Sequence, residues 1–387
     1  MRRDLQLSDR ENSKRNGLPK YRGSSTSFNG KKSENFNGKN KLYTLYGVPI
    51  FPVPENLDLS NNGFNDDLKN FFEELEDLLS TNRHIYLSFE RTTVVRLPMF
   101  LLIIALQEKY QAKISPMLSS KSPWVNRMIE AAGSFSSSSH RRSTLFDKTV
   151  SRIPVISGSN CEFETLADDL VDAISDKYYD GQIPPHIEAK ISQAIIETLE
   201  NVGRHAYPSE SDEEKKKWWL ICSIGQVHAD SEDYMFLAIY DQGRGIPLSF
   251  EDSQVFQNRI KKHYPKEYQT LILGEDPDTG KTSAVKGLVR SLASKVISLR
   301  KTIGDSGMIY GSMMHEITRI DDENHGQGSV SIKDVITNDP ESKLIIHSCK
   351  GCYQFNRGSQ KEDTTFEHKN ELSGTLLQWS IKLDELN

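Results

Sequence analysis

Residues 187–206 read IEAKISQAIIETLENVGRHA, and the fold expected for the larger part of this chain depends on them. Apolar side chains recur every three or four positions along this stretch, at Ile187, Ile191, Ile195, Leu199 and Val202. Such spacing predicts a helix with one apolar face. Glu197, Asn201 and His205 recur every fourth position, so they stack along another edge of the same helix. A carboxylate, an amide and an imidazole one turn apart can position a metal ion and water, and the alternative is a solvated polar stripe.

Two strand-like runs, residues 218–226 and 234–240, follow this helix, and the second leads into DQGRGIP at residues 241–247. An aspartate at the end of a strand can accept a hydrogen bond from an exocyclic amine. Gly243 and Gly245 allow the backbone to approach a flat ring or a phosphate closely. Because Asp and Gly also favour turns, this segment alone is compatible with a plain turn.

A second glycine pair lies in HGQGSV at residues 325–330, directly before a helix predicted for residues 332–336. Gly326 and Gly328 would open that helix. Free N–H groups and the positive end of the helix dipole make such a position suitable for a phosphate.

The end of the sequence is predicted to be a set of strands. Residues 343–347 and 353–355 are predicted to form a hairpin around residues 350–351, and residues 374–375 to open a last strand at 376–383. A CxxC pair, Cys349 and Cys352, falls in the expected hairpin; four zinc ligands cannot be assembled locally around it, which favours a structural role.

Taken in order, these segments resemble the GHKL (HATPase) superfamily of gyrase, heat-shock chaperones, sensor histidine kinases and MutL. ETLENVGRHA at residues 197–206 is similar to the Asn-containing helix motif, residues 241–245 to the first glycine box, 326–328 to the second and 374–375 to the last. The resemblance covers about residues 165–383. It implies an α/β fold, specifically an α+β sandwich, that binds ATP and Mg²⁺.

The resemblance also implies roles for single residues. Asn201 would complete the Mg²⁺ shell, and Glu197 would be the catalytic residue that orients or deprotonates an attacking water or hydroxyl. Asp241 would bond the adenine amine, assisted by Thr375 through a water molecule. The two glycines of the first box would let the backbone pass the base and ribose.

The phosphates would be held from a lid at about residues 250–325. Gly326 and Gly328 would cradle them, and Thr318 or Arg319 would close on them. The two glycine boxes lie about 80 residues apart, which predicts a long lid with helices of its own and slower or partner-dependent closure.

Strand and helix patterns alternate over residues 41–135, which predicts a small α/β domain. The predicted strands and helices are 42–53, 67–79, 84–89, 97–109, 112–117 and 124–132. This spacing resembles the STAS domains of anti-sigma-factor antagonists, which often carry a phosphorylatable Ser at the start of the helix after a strand. Here that neighbourhood offers Thr92 and Thr93, which favours a structural or docking role.

Residues 1–40 are predicted to be a disordered basic tail, because their few apolar side chains cannot offset the entropy of ordering. The tail holds ten Lys and Arg against four Asp and Glu. It could contact nucleic acid or an acidic partner, or serve solubility alone. Residues 136–160 are predicted to link this STAS-like domain to an ATP-binding domain at 161–387. The Ser-rich run at 134–144 is expected to be an exposed loop or linker.

The composition of the whole chain limits its environment. Its 387 residues carry a net charge of −6, which argues against a polycationic nucleic-acid binder. No run approaches the roughly 20 apolar residues that cross a bilayer, and four cysteines favour a reducing compartment. The sequence therefore predicts a cytoplasmic protein without a membrane partner.

Three functions remain open for an ATP-binding module of this kind. The first is a Mg²⁺-dependent ATPase that acts as a conformational or partner switch. The second is a Ser/Thr protein kinase of the anti-sigma-factor type, and the third is a sensor histidine kinase. His140 in the Ser-rich run and His186 after two prolines do not suit the acceptor role that a histidine kinase needs. The expected partner is another protein of the same pathway or a second copy of the chain.

Overall fold

The computed structural model describes residues 43–60, 63–150, 152–226, 233–250, 265, 299–313 and 342–382. The chain divides into two compact units, residues 1–49 and 50–387. Strand β1, Tyr43–Leu45, belongs to the first unit. Both sequence resemblances described above fall largely within the second unit, which is a mixed α/β structure with helices and several sheets. None of the helices in the described ranges is long and apolar enough to cross a membrane.

The first part of the second unit contains parallel strands joined by helices. Residues 50–52 of strand β2, Val48–Pro52, pair with β4, His84–Ser88, which pairs with β6, Lys113–Met117. Two short strands, β3 at Asn56–Leu57 and β5 at Val94–Val95, form a separate parallel pair. The connecting helices are α1 at Asp66–Thr81, α2 at Pro98–Lys109 and α3 at Pro123–Ala131. Parallel strands need such crossovers.

The predicted helices of this part are confirmed, and their local chemistry explains their ends. Helix α1 begins where the Asn65 side chain accepts a hydrogen bond from the Leu68 N–H, at 3.0 Å. It buries the apolar face that its spacing predicts. Helix α2 starts with a proline in its first turn and buries every side chain from Met99 to Gln107, so it is enclosed on all sides.

The second part contains a five-stranded antiparallel sheet in the order β10-β11-β9-β8-β7. Its strands are β7 at Ile156–Ser159, β8 at Lys217–Gln226, β9 at Asp233–Asp241, β10 at Lys343–Asn356 and β11 at Asp363–Lys382. The strands predicted at 218–226 and 234–240 are thus confirmed.

Helices cover one face of this sheet and α2 lies against the other. The covering helices are α5 at Phe163–Tyr178, α6 at Pro185–Asn201 and α8 at Leu299–Ser312. A short helix, α7 at Ile246–Phe250, follows β9 along the chain. Ile191 and Ile195 of α6 belong to the same buried cluster as Leu237 and Ile239 of β9. On the opposite face, α2 contacts β8 and β9. Two layers of helices therefore enclose the sheet.

The Ser-rich run is not the loop that its composition predicts. Residues Ser138–Leu145 form helix α4, which begins where the Ser137 hydroxyl accepts from the His140 N–H. Arg141 is buried because its guanidinium donates to the Val155 carbonyl at 2.7 Å and pairs with Glu108 of α2. Composition alone cannot reveal these distant partners of a charged side chain.

The predicted hairpin around residues 350–351 is also wrong. Strand β10 continues through these residues to Asn356, with register irregularities from Ser348 to Gly351, and the turn to β11 follows it. β11 begins at Asp363 rather than at Gly374. Gly351 is needed for close approach rather than for a turn, because an added Cβ would lie 2.6 Å from backbone atoms of α8.

Candidate functional site

Asp241 lies at the end of β9 with only 5% of its surface exposed. Its carboxylate accepts hydrogen bonds from the backbone N–H groups of Gly243, at 2.8 Å, and of Thr375. Burial raises the pKa of Asp241 to about 7, although both hydrogen bonds act in the opposite direction. A carboxyl group held in this way can change charge near neutral pH.

Strand β11 brings the last predicted motif directly beside this carboxylate. Thr375 is the register partner of Asp241 across the two strands, and it is also buried. Gly374 has a φ of +80°, and a Cβ added to it would lie 1.8 Å from the Asp241 carbonyl oxygen. Only glycine permits this approach.

The glycines of the first box are likewise in contact with other predicted motifs. A Cβ at Gly243 would lie 2.4 Å from the carbonyl oxygen of Ala206, and the Arg244 N–H donates to that oxygen at 2.8 Å. Gly245 has a φ of +86°, and its added Cβ would lie 2.9 Å from the Ser348 hydroxyl oxygen of β10. The loop therefore fits between the segment after α6 and the strands β10 and β11.

Helix α6 carries the residues predicted for catalysis and metal binding at its C-terminal end. Glu197 is half-buried, one turn before Asn201, which ends the helix. A π-helical turn, Val202–Ala206, follows and reaches the glycine loop through Ala206. Such turns are frequent at functional sites. The side chains of Asn201 and His205 lie outside what the structure describes.

The predicted lid is described only in part. Thr318, Arg319, Gly326 and Gly328 lie outside the described residues. Within the predicted lid range, helix α8 packs against β10 and β11, and its Met308 and Ile309 are fully buried. Ile309 belongs to the buried cluster that packs against the sheet.

Sequence reasoning missed two side chains that organise the site. Ser348 is fully buried and lies 3.0 Å from the Thr375 hydroxyl. The Tyr207 hydroxyl accepts from the Gln242 N–H at 3.0 Å and donates to the Lys217 carbonyl at 2.6 Å. Neither residue belongs to a spaced pattern, so the sequence alone carried no signal for them.

A cavity of about 1200 Å³ lies on the other face of the sheet, between α1, α2 and the strands β8, β9 and β11. Tyr240 and Gln242 line it, whereas Asp241 between them does not, because successive side chains of a strand point to opposite faces. At its floor the Trp219 ring N–H donates to Glu108 at 2.9 Å. The cavity is therefore distinct from the site that the motifs predict.

A buried cluster of His347, Cys352 and His368 brings three potential metal ligands within 4.8 Å of one another. The Phe64 N–H donates to Nδ1 of His368 at 3.1 Å, so His368 carries its proton on Nε2 and donates it to Nδ1 of His347 at 3.0 Å. If Nε2 of His368 bound a metal ion, Nδ1 would carry a proton and donate a hydrogen bond, whereas here Nδ1 accepts one. Burial lowers the pKa of His347 to about 3 and of His368 to about 4. The geometry fits an uncharged hydrogen-bonded pair.

The two residues of the predicted phosphoacceptor neighbourhood differ in exposure. Thr92 is fully buried and donates to the Pro54 carbonyl at 3.0 Å. Thr93 is exposed, and its hydroxyl donates to the Glu55 carbonyl at 3.3 Å.

Comparison of the chain with protein-family models, with curated proteins and with solved structures gave no match. The chemical argument therefore rests on the site itself. Its described part offers a buried carboxylate, a buried hydroxyl and glycines that let the loop and strands pack closely around them. Such a group of acceptors at a strand end is suited to an amine-bearing ring.

Proposed function

We propose that this chain binds ATP with Mg²⁺ in a GHKL-type module and hydrolyses it as a nucleotide-driven switch. One observation carries the proposal: Asp241 is buried at a strand end beside Thr375, and the loop that follows it is packed against the end of α6. Three motifs that are far apart in the sequence thus meet around one carboxylate.

Each end of the nucleotide has a candidate partner. Asp241 would accept from the adenine amine, and Thr375 would assist it through a water molecule. Asn201 would contribute to the Mg²⁺ shell, and Glu197, one turn earlier on α6, would orient or deprotonate the attacking water. Arg319, Gly326 and Gly328 remain predicted phosphate contacts.

A Ser/Thr protein kinase of the anti-sigma-factor type is the second candidate. The parallel strands β2, β4 and β6 with helices α1 and α2 between them are compatible with a STAS-like domain, which favours this function. Thr92 is buried, which leaves the exposed Thr93 as the acceptor that this neighbourhood would offer. A sensor histidine kinase is a weaker candidate, because His140 lies on the eight-residue helix α4 and His186 in the first turn of α6.

The proposed compartment and partner of the protein are those predicted from its sequence. We place the protein in the cytoplasm, where a second protein of the same pathway, or a second copy of this chain, would respond to the nucleotide state.

The fate of the terminal phosphate separates the candidates. The full chain is incubated with γ-labelled ATP and Mg²⁺, and free phosphate and protein-bound label are measured for wild type, Glu197→Ala and Asn201→Ala. Free phosphate that is lost in both variants supports the switch, whereas acid-stable label on protein supports the kinase. Glu188→Ala is the matched control, because Glu188 is an exposed carboxylate in the first turn of the same helix. An absence of ATP binding, even with candidate partners present, contradicts the proposal.

A further inference from the structure

The cavity of about 1200 Å³ on the opposite face of the sheet lies where two parts of the second unit meet. Helices α1 and α2, which connect the parallel strands, line one side of it, and β8, β9 and β11 of the antiparallel sheet line the other. Ligand sites are found preferentially where two structural parts meet, and most have a smaller volume than this cavity. The cavity is therefore large enough to hold a complete small molecule.

One part of the cavity wall is apolar. Trp219 and Tyr240 are register partners on β8 and β9, and their ring centroids lie 6.0 Å apart. Their polar atoms are already hydrogen-bonded, because the Trp219 ring N–H donates to Glu108 and the Tyr240 hydroxyl donates to the Ser373 carbonyl at 2.9 Å. The other large apolar side chains of the wall are Phe64, Phe72, Leu102, Leu106 and Leu372. A ligand body that contacts this wall therefore gains free energy by being apolar.

The charged side chains of the wall leave an excess of positive charge. Five carboxylates line the cavity, and each forms an ion pair with a Lys or Arg: Glu73, Glu76, Glu108, Glu162 and Glu371. Lys217 and Lys350 also line it, and neither forms an ion pair within the part of the chain that the structure describes. The remaining Lys and Arg side chains of the wall are already paired. Two cations are therefore left for a ligand.

Tyr207 fixes one of these cations beside a second hydrogen-bond donor. Its hydroxyl donates to the Lys217 carbonyl at 2.6 Å and accepts from the Gln242 N–H at 3.0 Å. The start of β8 and the end of β9 are thereby held side by side. Gln242 lines the cavity as Lys217 does, and its side-chain amide can donate to an oxyanion next to the Lys217 ammonium group.

We propose that this cavity is a binding site for an organic anion with an apolar body, of the class of carboxylates and sulfonates that carry a hydrocarbon chain or aromatic rings. The body lies against Trp219 and the apolar side chains of α1 and α2. The anionic group binds at Lys217 and Gln242, and Lys350 adds a second positive charge to the same cavity. This site goes beyond the proposed function, because Asp241 does not line the cavity.

Two fluorescent probes that differ in charge test the site. 8-Anilinonaphthalene-1-sulfonate and N-phenyl-1-naphthylamine share a ring system, and only the first carries a sulfonate. Each is titrated into the full chain. Lys217→Gln should weaken binding of the sulfonate probe about fivefold and leave the neutral probe unchanged, because it removes one charge-assisted contact. Lys217→Gln combined with Lys350→Gln should weaken the sulfonate probe about tenfold or more. Lys343→Gln is the matched control, since Lys343 is an exposed lysine of β10 that does not line the cavity.

The same titrations contain the results that overturn the inference. Failure of wild type to bind the sulfonate probe does so, as does a loss in Lys217→Gln no larger than the loss in Lys343→Gln. A variant that weakens both probes equally has damaged the structure of the cavity and also argues against an anion site. Gln242→Glu examines the site from β9: it should weaken only the sulfonate probe, and equal binding to wild type contradicts the assignment. None of these measurements uses ATP, so their failure leaves the proposed function intact.

Discussion

The ionisation of Asp241 should control the affinity for ATP around neutral pH. Burial raises the pKa of this carboxyl to about 7, well above its ordinary value of 3.8. Only the ionised form is a pure acceptor for the adenine amine. The group must therefore lose its proton before it can bind the base fully, and lowering the pH below 7 opposes binding.

The size of the effect follows from the pKa. With a pKa near 7, the ionised fraction falls about tenfold between pH 8 and pH 6, which corresponds to about 1.4 kcal/mol of binding free energy. The dissociation constant for ATP should rise by the same factor. Asp241→Asn is nearly isosteric and does not titrate, so its affinity should be weaker at pH 8 by roughly tenfold or more and should lack this component of the pH dependence.

Fluorescence anisotropy with N-methylanthraniloyl ATP and Mg²⁺ between pH 6 and pH 8 measures both effects in the full chain. Asp241→Asn retains any titration of the nucleotide phosphates, so the difference between variant and wild type isolates the carboxyl group. Equal pH dependence in the two proteins would refute this reasoning. So would an Asn variant that binds ATP as tightly as wild type at pH 8.

Three further predictions concern packing and stability. Arg141→Met should lower the free energy of unfolding by about 3–5 kcal/mol in urea denaturation, because it removes a buried guanidinium that donates to the Val155 carbonyl and pairs with Glu108. Stability should also fall below about pH 6.5, since the pKa values of His347 and His368 are lower in the folded chain than in the unfolded chain; each contributes up to about 1.4 kcal/mol per pH unit, measured by urea denaturation at pH 5 and 7. Gly374→Ala should abolish nucleotide binding in the anisotropy assay, because its Cβ would meet a backbone oxygen of β9 at 1.8 Å. Gly358→Ala has a similar φ of +77° but no neighbour within 4 Å, so it should cost only about 1–2 kcal/mol of stability.

Each of these predictions has a result that contradicts it. Arg142→Met removes an exposed pair with Glu162 and should cost at most about 1 kcal/mol, so an equal effect of the two Arg variants would argue against the buried pair. Replacing both histidines by glutamine should reduce the loss of unfolding free energy below pH 6.5. If the free energy of unfolding falls with pH as steeply as in wild type, other groups are responsible for the titration. Normal nucleotide binding by Gly374→Ala would mean that the close contact between Gly374 and the Asp241 carbonyl does not shape the site.

Regular periodicity made much of the architecture predictable. The apolar face of residues 67–79 indicated α1, and the spacing from Ile187 to Val202 indicated α6, because a helix buries side chains at a fixed repeat. Asp241 was predicted at the end of a strand, and it lies there. The spacing of apolar residues along the sequence was therefore enough to predict these helices and this strand end.

Long-range partners explain what the sequence did not predict. Arg141 sits in a run rich in serine, and its contacts with Val155 and Glu108 anchor the helix that this run forms. Glycine favours turns, but Gly351 lies within β10, where the lack of a side chain lets the strand pack closely against α8. Ser348 acquires its role from Ile246 and Thr375, which are remote along the chain. No local rule encodes such contacts.

The central claim is that the purine base of ATP binds beside Asp241, and photo-crosslinking tests it most directly. The full chain is irradiated with 8-azido-ATP and Mg²⁺, and the modified peptides are identified by mass spectrometry. The account predicts label in the peptides that carry residues 241–246 or Thr375, suppressed by excess ATP and strongly reduced in Asp241→Asn. Label that ATP does not suppress, or ATP-protected label confined to the cavity around Trp219 on the opposite face of the sheet, would contradict it.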